Sequence, residues 1–358
     1  MERSFPLFRL PENAIAQVLQ NMNSNKLFLI SLASSKSKNL VTSLGIRACD
    51  VEIRISREIS FSVRIGVFLL NLILKANLND QNAALPADIT LPVDAFLSLE
   101  RKRIQPSIPF NFGDWMNHIR TVFCYTNPQS LGFYQDCERF EVQSLKNTIG
   151  NVDVLYVASE VTNVYSKEVL KVFNASNKLF LERNPFDEAC EIQQFFVQNY
   201  KRIGFRDAYS LDDMLLVNSE KAKFTHPTSP NQFNQFLKHW IRGSNPRLQN
   251  MFSLIDNTNS VSREVLLKGI QYVDVAKEVR QEIYQKHSIN SVHMVQIRRL
   301  FFYRSFFMPL CRICFPCIFL FYYFSFPTNK LFSSFSLLIC LFLISQMHNS
   351  FIRVRNEA

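Results

Sequence analysis

The spacing of apolar residues changes near residue 48, and this change separates two kinds of structure. Before it, apolar side chains recur every three or four residues, as on one face of a helix, at Ala14, Ile15, Val18, Leu19 and Met22. After it they alternate with polar ones, as on a half-buried strand, at Val51, Ile53, Ile55, Ile59, Phe61, Val63 and Ile65. The sequence therefore predicts three short helices up to Gly45 and then two strands joined near residues 56–58.

The helical segment is a small module with more apolar surface than it can easily bury. Units below about 40 residues usually need a staple or a partner, and Phe5, Leu7 and Phe8 lie before the first helix. The segments 5–11 (FPLFRLP), 18–19 (VL), 29–32 (LISL) and 35–41 (SKSKNLV) resemble the F-box. The resemblance implies docking on the adaptor subunit of the SCF ubiquitin ligase and, through it, on the cullin and RING subunits.

Nine residues match docking or core positions of the F-box. They are Phe5, Leu7, Leu10, Pro11, Ile15, Val18, Leu19, Leu27 and Leu32. For any one of them, contact with the adaptor and a place in a small three-helix core are equally good interpretations. For the group, the prediction is adaptor docking.

Beyond residue 125, short apolar segments recur with helix-like stretches such as 188–202 between them. Five segments follow the pattern apolar-x-apolar-x-x-polar, at residues 131–136, 155–160, 179–184, 214–219 and 252–257. Strand and helix in such alternation resemble an irregular leucine-rich-repeat solenoid. Any α/β protein also offers apolar strands at unequal intervals, so this alternative stays open. The predicted fold class is α+β or α/β, with a three-helix F-box, a repeat-like strand–helix domain and a hydrophobic tail.

Two later segments carry a second resemblance. LDDMLLVNS at 211–219 and NQFNQFLKHWIRGSNPRL at 231–248 resemble the type 2 F-box-associated domain of a lineage-expanded F-box family. That resemblance implies a domain that recruits a target protein of unknown identity. Trp240 shares a helix face with Phe233, Phe236 and Leu237, which favours core packing over a role as an interface anchor. Gly243 is expected to end that helix.

Parallel strands of a repeat would present their non-core side chains along one concave surface. The candidate target-binding residues at such positions are Tyr134, Phe180, Glu182, Leu215 and Val217. Covering helices or the preceding strands would also explain large side chains there. Target binding by these residues is therefore a hypothesis.

Residues 300–358 are far more apolar than the rest of the chain. Residues 301–344 form two Phe- and Leu-rich blocks on either side of 327–330. Three interpretations stay open, namely a disordered tail, a translated non-coding segment, and a membrane anchor. The last makes a membrane-anchored protein-interaction module the alternative function. The predicted divisions are 3–47 for the F-box, 48–125 for a connector, 126–299 for the associated domain and 300–358 for the tail.

Charge and cysteine usage argue against other classes of protein. The chain of 358 residues has a formal net charge of +10, but five of its basic residues lie beyond residue 300. No run of Lys and Arg with interleaved aromatic residues marks a nucleic-acid surface. Residues 1–10 lack the apolar core of a signal peptide. The eight cysteines are therefore expected to be reduced, in an intracellular protein of the cytoplasm or nucleus.

No motif predicts catalysis. The six histidines never pair at HExxH spacing, and neither G-x-S-x-G nor a phosphate-binding glycine loop occurs. Cys311, Cys314 and Cys317 have ligand-like spacing, but the Pro and Phe residues around them suit a metal site poorly. The prediction is a non-catalytic adaptor, without metal or cofactor, that tethers a target near the transfer machinery.

Overall fold

The computed structural model describes residues 10–75, 85–98, 102–104, 106–125, 129–255, 263–274, 294–298 and 336–340. Contacts divide the chain into two compact units, Met1–Pro185 and Phe186–Ala358. Each unit combines helices with β-strands and has its own buried aromatic side chains. The prediction of a mixed α/β architecture is confirmed.

The first unit begins with three short helices, as the spacing of its apolar residues predicts. They are α1 (Glu12–Gln20), α2 (Ser24–Ser31) and α3 (Ser35–Ser43). The Asn23 side chain accepts a hydrogen bond from the Lys26 N–H at 2.9 Å and caps α2. Ser34 caps α3 by accepting from the Ser37 N–H at 3.1 Å.

A mixed sheet follows in the same unit. Its strands are β1 (Asp50–Ile55), β2 (Ile59–Ile65), β3 (Phe68–Lys75), β4 (Asp94–Leu97), β5 (Lys102–Ile104), β6 (Gln129–Phe133), β7 (Val152–Val157) and β8 (Lys178–Leu181). They lie in the order β8-β7-β6-β1-β2-β3-β4-β5. Strands β1 to β5 pair antiparallel in succession, whereas β1, β6, β7 and β8 pair parallel. The predicted strands before and after residues 56–58 are β1 and β2.

Three further helices cover one face of this sheet. They are α4 (Phe112–Val122), α5 (Val142–Ile149) and α6 (Asn163–Val172). Phe112 of α4 stacks on Phe61 of β2 with ring centroids 5.7 Å apart, and Phe173, just after α6, lies 5.7 Å from Phe133 of β6. Side chains on the other face of the sheet are half-exposed, since burial alternates along β1 to β3.

The second unit again alternates strands with helices. Its elements are α7 (Ala189–Phe196), β9 (Arg202–Phe205), α8 (Leu211–Leu216), β10 (Lys221–Thr228), α9 (Pro230–Ile241), β11 (Asn250–Ile255), α10 (Arg263–Leu266), β12 (Tyr272–Asp274), β13 (Met294–Arg298) and β14 (Ser336–Cys340). Strands β9, β10 and β11 pair parallel. Strands β12, β13 and β14 form a separate antiparallel sheet.

The segment 214–219 is not a strand, so this part of the predicted repeat is wrong. The Ser210 side chain accepts from the Asp213 N–H at 3.1 Å, and the Asp213 carboxylate accepts from the Ser210 N–H at 3.0 Å. This reciprocal capping box starts helix α8 immediately before the apolar run. The strand is the next segment, β10, and the end of the stretch 188–202, predicted to be helical, leads into β9.

Most of the hydrophobic tail falls outside the described residues. Within it, Ser336–Cys340 forms β14 and pairs with β13. Among the parts of the chain that the structure describes, no helix is long and apolar enough to cross a membrane.

Candidate protein-interaction surfaces

Helix α1 and the residues that flank it carry an apolar stripe that is only partly buried. Pro11, Ala14, Val18 and Met22 follow one another at spacings of three or four residues, so they lie on one side of the helix. Pro11 is exposed and Val18 is 36% exposed, whereas Ala14 and Met22 are half-buried. This stripe is apolar surface that the three helices leave available to a partner.

The nine predicted docking residues fall into three groups. Phe5 and Leu7 lie outside the described residues. Leu10 is half-buried, and Pro11 and Val18 are exposed. Ile15, Leu19, Leu27 and Leu32 are buried, at 2%, 0%, 3% and 7% exposure. Of the described residues in the set, Leu10, Pro11 and Val18 therefore have surface to offer a partner, whereas the buried four build the core of the module.

Phe28 joins the three-helix module to the rest of the first unit. Its side chain is 0% exposed. Its ring lies 6.4 Å from that of Trp115 and 6.1 Å from that of Phe123, which it stacks on at 16°. The rings of Phe28 and His118 pack edge to face, with their centroids 5.6 Å apart. The module therefore packs on α4 through a buried aromatic cluster formed by Phe28, Trp115, His118 and Phe123.

A buried hydrogen bond links the same two helices. Ser31 Oγ lies 2.6 Å from the Phe28 carbonyl oxygen, to which it donates, and 2.8 Å from His118 Nε2. Ser31 therefore accepts from a neutral His118 that carries its proton on Nε2. Burial, and then the nearby Lys38 charge, lower the pKa of His118 to about 4.

The stability of the first unit should depend on pH through His118. The unfolded side chain binds a proton below pH about 6.5, and the folded one only below about 4. The contribution of neutral His118 is thus fully present above pH 6.5 and falls by up to about 3 kcal/mol as the pH drops to 4. Segment-resolved hydrogen exchange at pH 7 and pH 5 measures it.

His118→Gln should flatten this pH dependence, even if it weakens the fold at pH 7. His239→Gln is the matched control, because His239 is exposed on α9 of the second unit. Equal loss of stability on acidification in the wild type and in His118→Gln would contradict the assignment.

The half-exposed face of the first sheet carries a row of side chains that the strand register places side by side. Arg54, Gly132, Tyr156 and Phe180 are successive partners across β1, β6, β7 and β8. Tyr134, which follows β6, joins this row: its ring lies 5.2 Å from that of Tyr156 and 5.6 Å from the Arg54 guanidinium carbon. The row is therefore a connected cationic and aromatic surface.

A glycine permits this arrangement of the tyrosines. A Cβ atom on Gly132 would lie 2.7 Å from Cε2 of Tyr134, closer than side chains tolerate. The Tyr134 ring therefore lies over the backbone of Gly132, next to Tyr156. Burial and then a hydrogen bond to Glu182 raise the pKa of Tyr156, which stays protonated at neutral pH.

The structure separates the five predicted target-binding residues. Tyr134, Phe180 and Glu182 lie half-buried at this sheet face, and the Glu182 carboxylate accepts from the Ser159 hydroxyl at 3.2 Å. Leu215 lies half-buried in α8. Val217 is 1% exposed and therefore has no surface for a partner. Neither Leu215 nor Val217 lies on a strand, because the Ser210–Asp213 capping box starts helix α8, which contains Leu215 and ends just before Val217.

The distinctive stretch 243–248 in the second unit has a structural role. Asn245 has a left-handed φ of +52° and is 3% exposed. Its Nδ2 lies 3.0 Å from each of the carbonyl oxygens of Met214, Leu215 and Val217. The two N–H groups of this amide are therefore shared among three carbonyls at the end of α8, of which that of Met214 also accepts from the Val217 N–H. Trp240 is 1% exposed, which confirms its predicted place in the core.

In the described residues, no group of three or more His, Cys, Asp or Glu side chains could hold a metal ion. The structure is thus that of a two-unit α/β protein. In its first unit a three-helix module packs on α4, and the sheet of that unit has one half-exposed face.

Comparison with known proteins shows a similarity to F-box-associated proteins. The family model described as "F-box associated" matches residues 191–252, which span α7 to β11. The F-box associated domain-containing protein sdz-33 of Caenorhabditis elegans is 24% identical over 284 residues, which cover 77% of this chain and 87% of that protein. No solved structure matches. The matched region contains both segments, 211–219 and 231–248, that resemble the F-box-associated domain, so this resemblance is confirmed for residues 191–252.

Proposed function

We propose that this chain is a non-catalytic substrate-recognition subunit of an SCF-type ubiquitin ligase. The observation that carries the proposal is the half-exposed apolar stripe of α1, in a three-helix module that resembles the F-box. The similarity of residues 191–252 to the F-box-associated family and the similarity to sdz-33 support it. The module binds the SCF adaptor and, through it, the cullin and RING subunits. Such a subunit works in the cytoplasm or nucleus.

The half-exposed face of the first sheet is the proposed surface for the target protein. It holds Arg54, Tyr134 and Tyr156 in mutual contact. Aromatic and Arg side chains are the residues that dominate binding energy in protein interfaces. Tethering the target there raises its effective concentration near the ubiquitin-transfer machinery, and no catalytic group is needed in this chain.

Val18→Asp should abolish tight binding to the adaptor while leaving the fold intact. A charge placed in an apolar interface costs at least about 2 kcal/mol, which corresponds to roughly a 30-fold weaker affinity. Val18 is 36% exposed, so the stability should change by less than about 0.5 kcal/mol. Calorimetric titration of the purified full-length chain with the SCF adaptor measures the affinity.

Val164→Asp is the matched control, since Val164 is 80% exposed on α6, away from α1. It should bind the adaptor as the wild type does. If Val18→Asp retains the affinity of Val164→Asp, the α1 stripe does not bind the adaptor and the proposed function loses its main support.

A further inference from the structure

A groove of about 390 Å³ lies over β2 on the half-exposed face of the first sheet. Its floor is made by the small side chains of Ser60 and Ser62. Its walls rise from the neighbouring strands, with Asp50, Glu52 and Arg54 on β1 and Leu69, Asn71 and Ile73 on β3. The lining extends from Glu58, just before β2, to Arg64, near the end of that strand.

The two walls differ in chemistry at each step along the groove. In the strand register, Ser60 lies between Arg54 and Ile73. Two residues further along, Ser62 lies between Glu52 and Asn71. The β1 wall is thus charged along its length. The β3 wall is apolar at Leu69 and Ile73, with one amide between them.

The hairpin that joins β2 to β3 extends the apolar wall beyond the sheet. Ile65 pairs with Phe68, so that Gly66 and Val67 form a two-residue turn in which Gly66 has a φ of +58°. Val67 is 94% exposed, Phe68 53% and Leu69 45%. Three consecutive large apolar side chains at this exposure contribute little to the core, and such patches mark interaction sites.

Leu69 lies in the groove wall and follows the exposed turn residue Val67 by two positions, whereas Phe68 projects from the opposite face of β3. We propose that an extended segment of the target protein lies along β2 in this groove. Its apolar side chains contact Leu69, Ile73 and Val67, and its charged or polar side chains face Glu52 and Arg54. This proposal rests on the proposed function in naming the ligase target as the occupant.

The geometry favours an extended chain over a helix. Alternate side chains of an extended chain point in opposite directions, which matches two walls of opposite character. Strands β1 and β3 are two strand spacings apart, roughly 10 Å, which accommodates one extended chain between the walls. A helix is about 10–12 Å across with its side chains and would rest on the walls without reaching the serine floor.

Selection from a random heptapeptide library displayed on phage, against the immobilised full-length chain, tests this inference. Selected peptides should alternate apolar with charged or polar residues. In fluorescence anisotropy, Ser62→Trp, which fills the floor, and the double variant Val67→Ser/Leu69→Ser should each weaken their binding at least tenfold. Hydrogen exchange with bound peptide should show protection within residues 60–73.

Val164→Ser is the matched control for loss of an exposed apolar side chain, because Val164 is 80% exposed on α6. It should leave peptide affinity unchanged. A selection that yields no peptide weakened by Ser62→Trp overturns the proposal. So does a Val67→Ser/Leu69→Ser variant that loses only adaptor binding or only self-association, since this apolar surface would then serve the adaptor or a second copy.

The same proteins separate this inference from the proposed function. Adaptor affinity, measured with Val18→Asp against Val164→Asp, reports on the F-box role alone. Peptide affinity, measured with Ser62→Trp, reports on the groove alone. If adaptor binding holds and the groove variants bind peptide normally, only the groove assignment fails.

Discussion

Phe28→Ala is expected to lower the free energy of unfolding of the first unit by about 3–5 kcal/mol. Phe28 is 0% exposed and its ring contacts three other aromatic rings, on Trp115, His118 and Phe123. Truncation to alanine removes these contacts and leaves a cavity that the close-packed side chains of α4 cannot fill. Because domains are stable by only about 5–15 kcal/mol, a large share of the stability of this unit is lost.

The location of the effect matters as much as its size. Phe28 lies on α2, whereas its ring partners lie on α4 or, in the case of Phe123, at its C-terminal end. If the module and the sheet form one cooperative unit, hydrogen exchange should speed up together in α1–α3 and in α4. Segment-resolved hydrogen exchange of the full-length protein measures both in one experiment.

Phe68→Ala is the matched control, because it makes the same substitution at a side chain that is 53% exposed. It should change stability by about 0.5 kcal/mol or less. If Phe28→Ala loosens α1–α3 but leaves α4 unchanged, the module folds independently and its contact with α4 is weak.

Asn245→Ala is expected to destabilise the second unit by about 3 kcal/mol or more. The substitution removes the amide that lies 3.0 Å from the carbonyls of Met214, Leu215 and Val217. Met214 keeps the Val217 N–H as a donor, but the other two carbonyls lose the amide, and an unsatisfied buried group costs about 1–3 kcal/mol. Alanine also tolerates the left-handed φ of +52° less well than asparagine does. Hydrogen exchange of α8 and α9 is the measurement.

Two further variants separate the side chain from the backbone. Asn245→Gly keeps a residue that adopts positive φ easily but removes the amide, so it isolates the hydrogen bonds. Asn245→Asp keeps the shape but replaces the donor by an acceptor that faces three carbonyls. Asp at this position should therefore be at least as damaging as Ala. A stable Asn245→Asp protein would contradict the capping role.

Local signals predicted many elements of this fold. Helical spacing of apolar residues predicted α1, α2 and α3, and alternation predicted β1 and β2. Both patterns depend on neighbours within one or two turns, or within one strand, and so can be read from a short window. Such a short window predicts the wrong element at 214–219, because an apolar-x-apolar pattern fits a strand and a short helix equally well. There the capping box at Ser210 decided for helix.

The interaction surfaces were only partly predictable for a related reason. The apolar residues of α1, Val18 among them, recur in the sequence at helical spacing, which predicts the helix but not which of them is exposed. Only the structure separates the buried docking candidates from the exposed ones. Ile15 and Leu19 lie on the side of α1 that the rest of the module covers, whereas Val18 lies on the uncovered side. Tyr134 was a candidate from its strand, but its place over Gly132 required the structure.

The sequence by itself determined the helices of the F-box-like module, the first strands and the F-box-associated segment, because these depend on residues close together in the chain. The tertiary structure decided the rest. His118 meets Ser31 across 87 positions, and the groove depends on the register of three strands. Neither leaves a local pattern, because contacts between distant residues are set by packing and by backbone pairing. The change in spacing near residue 48 thus marks a change of element, while the Phe28 cluster packs the helices before it on α4.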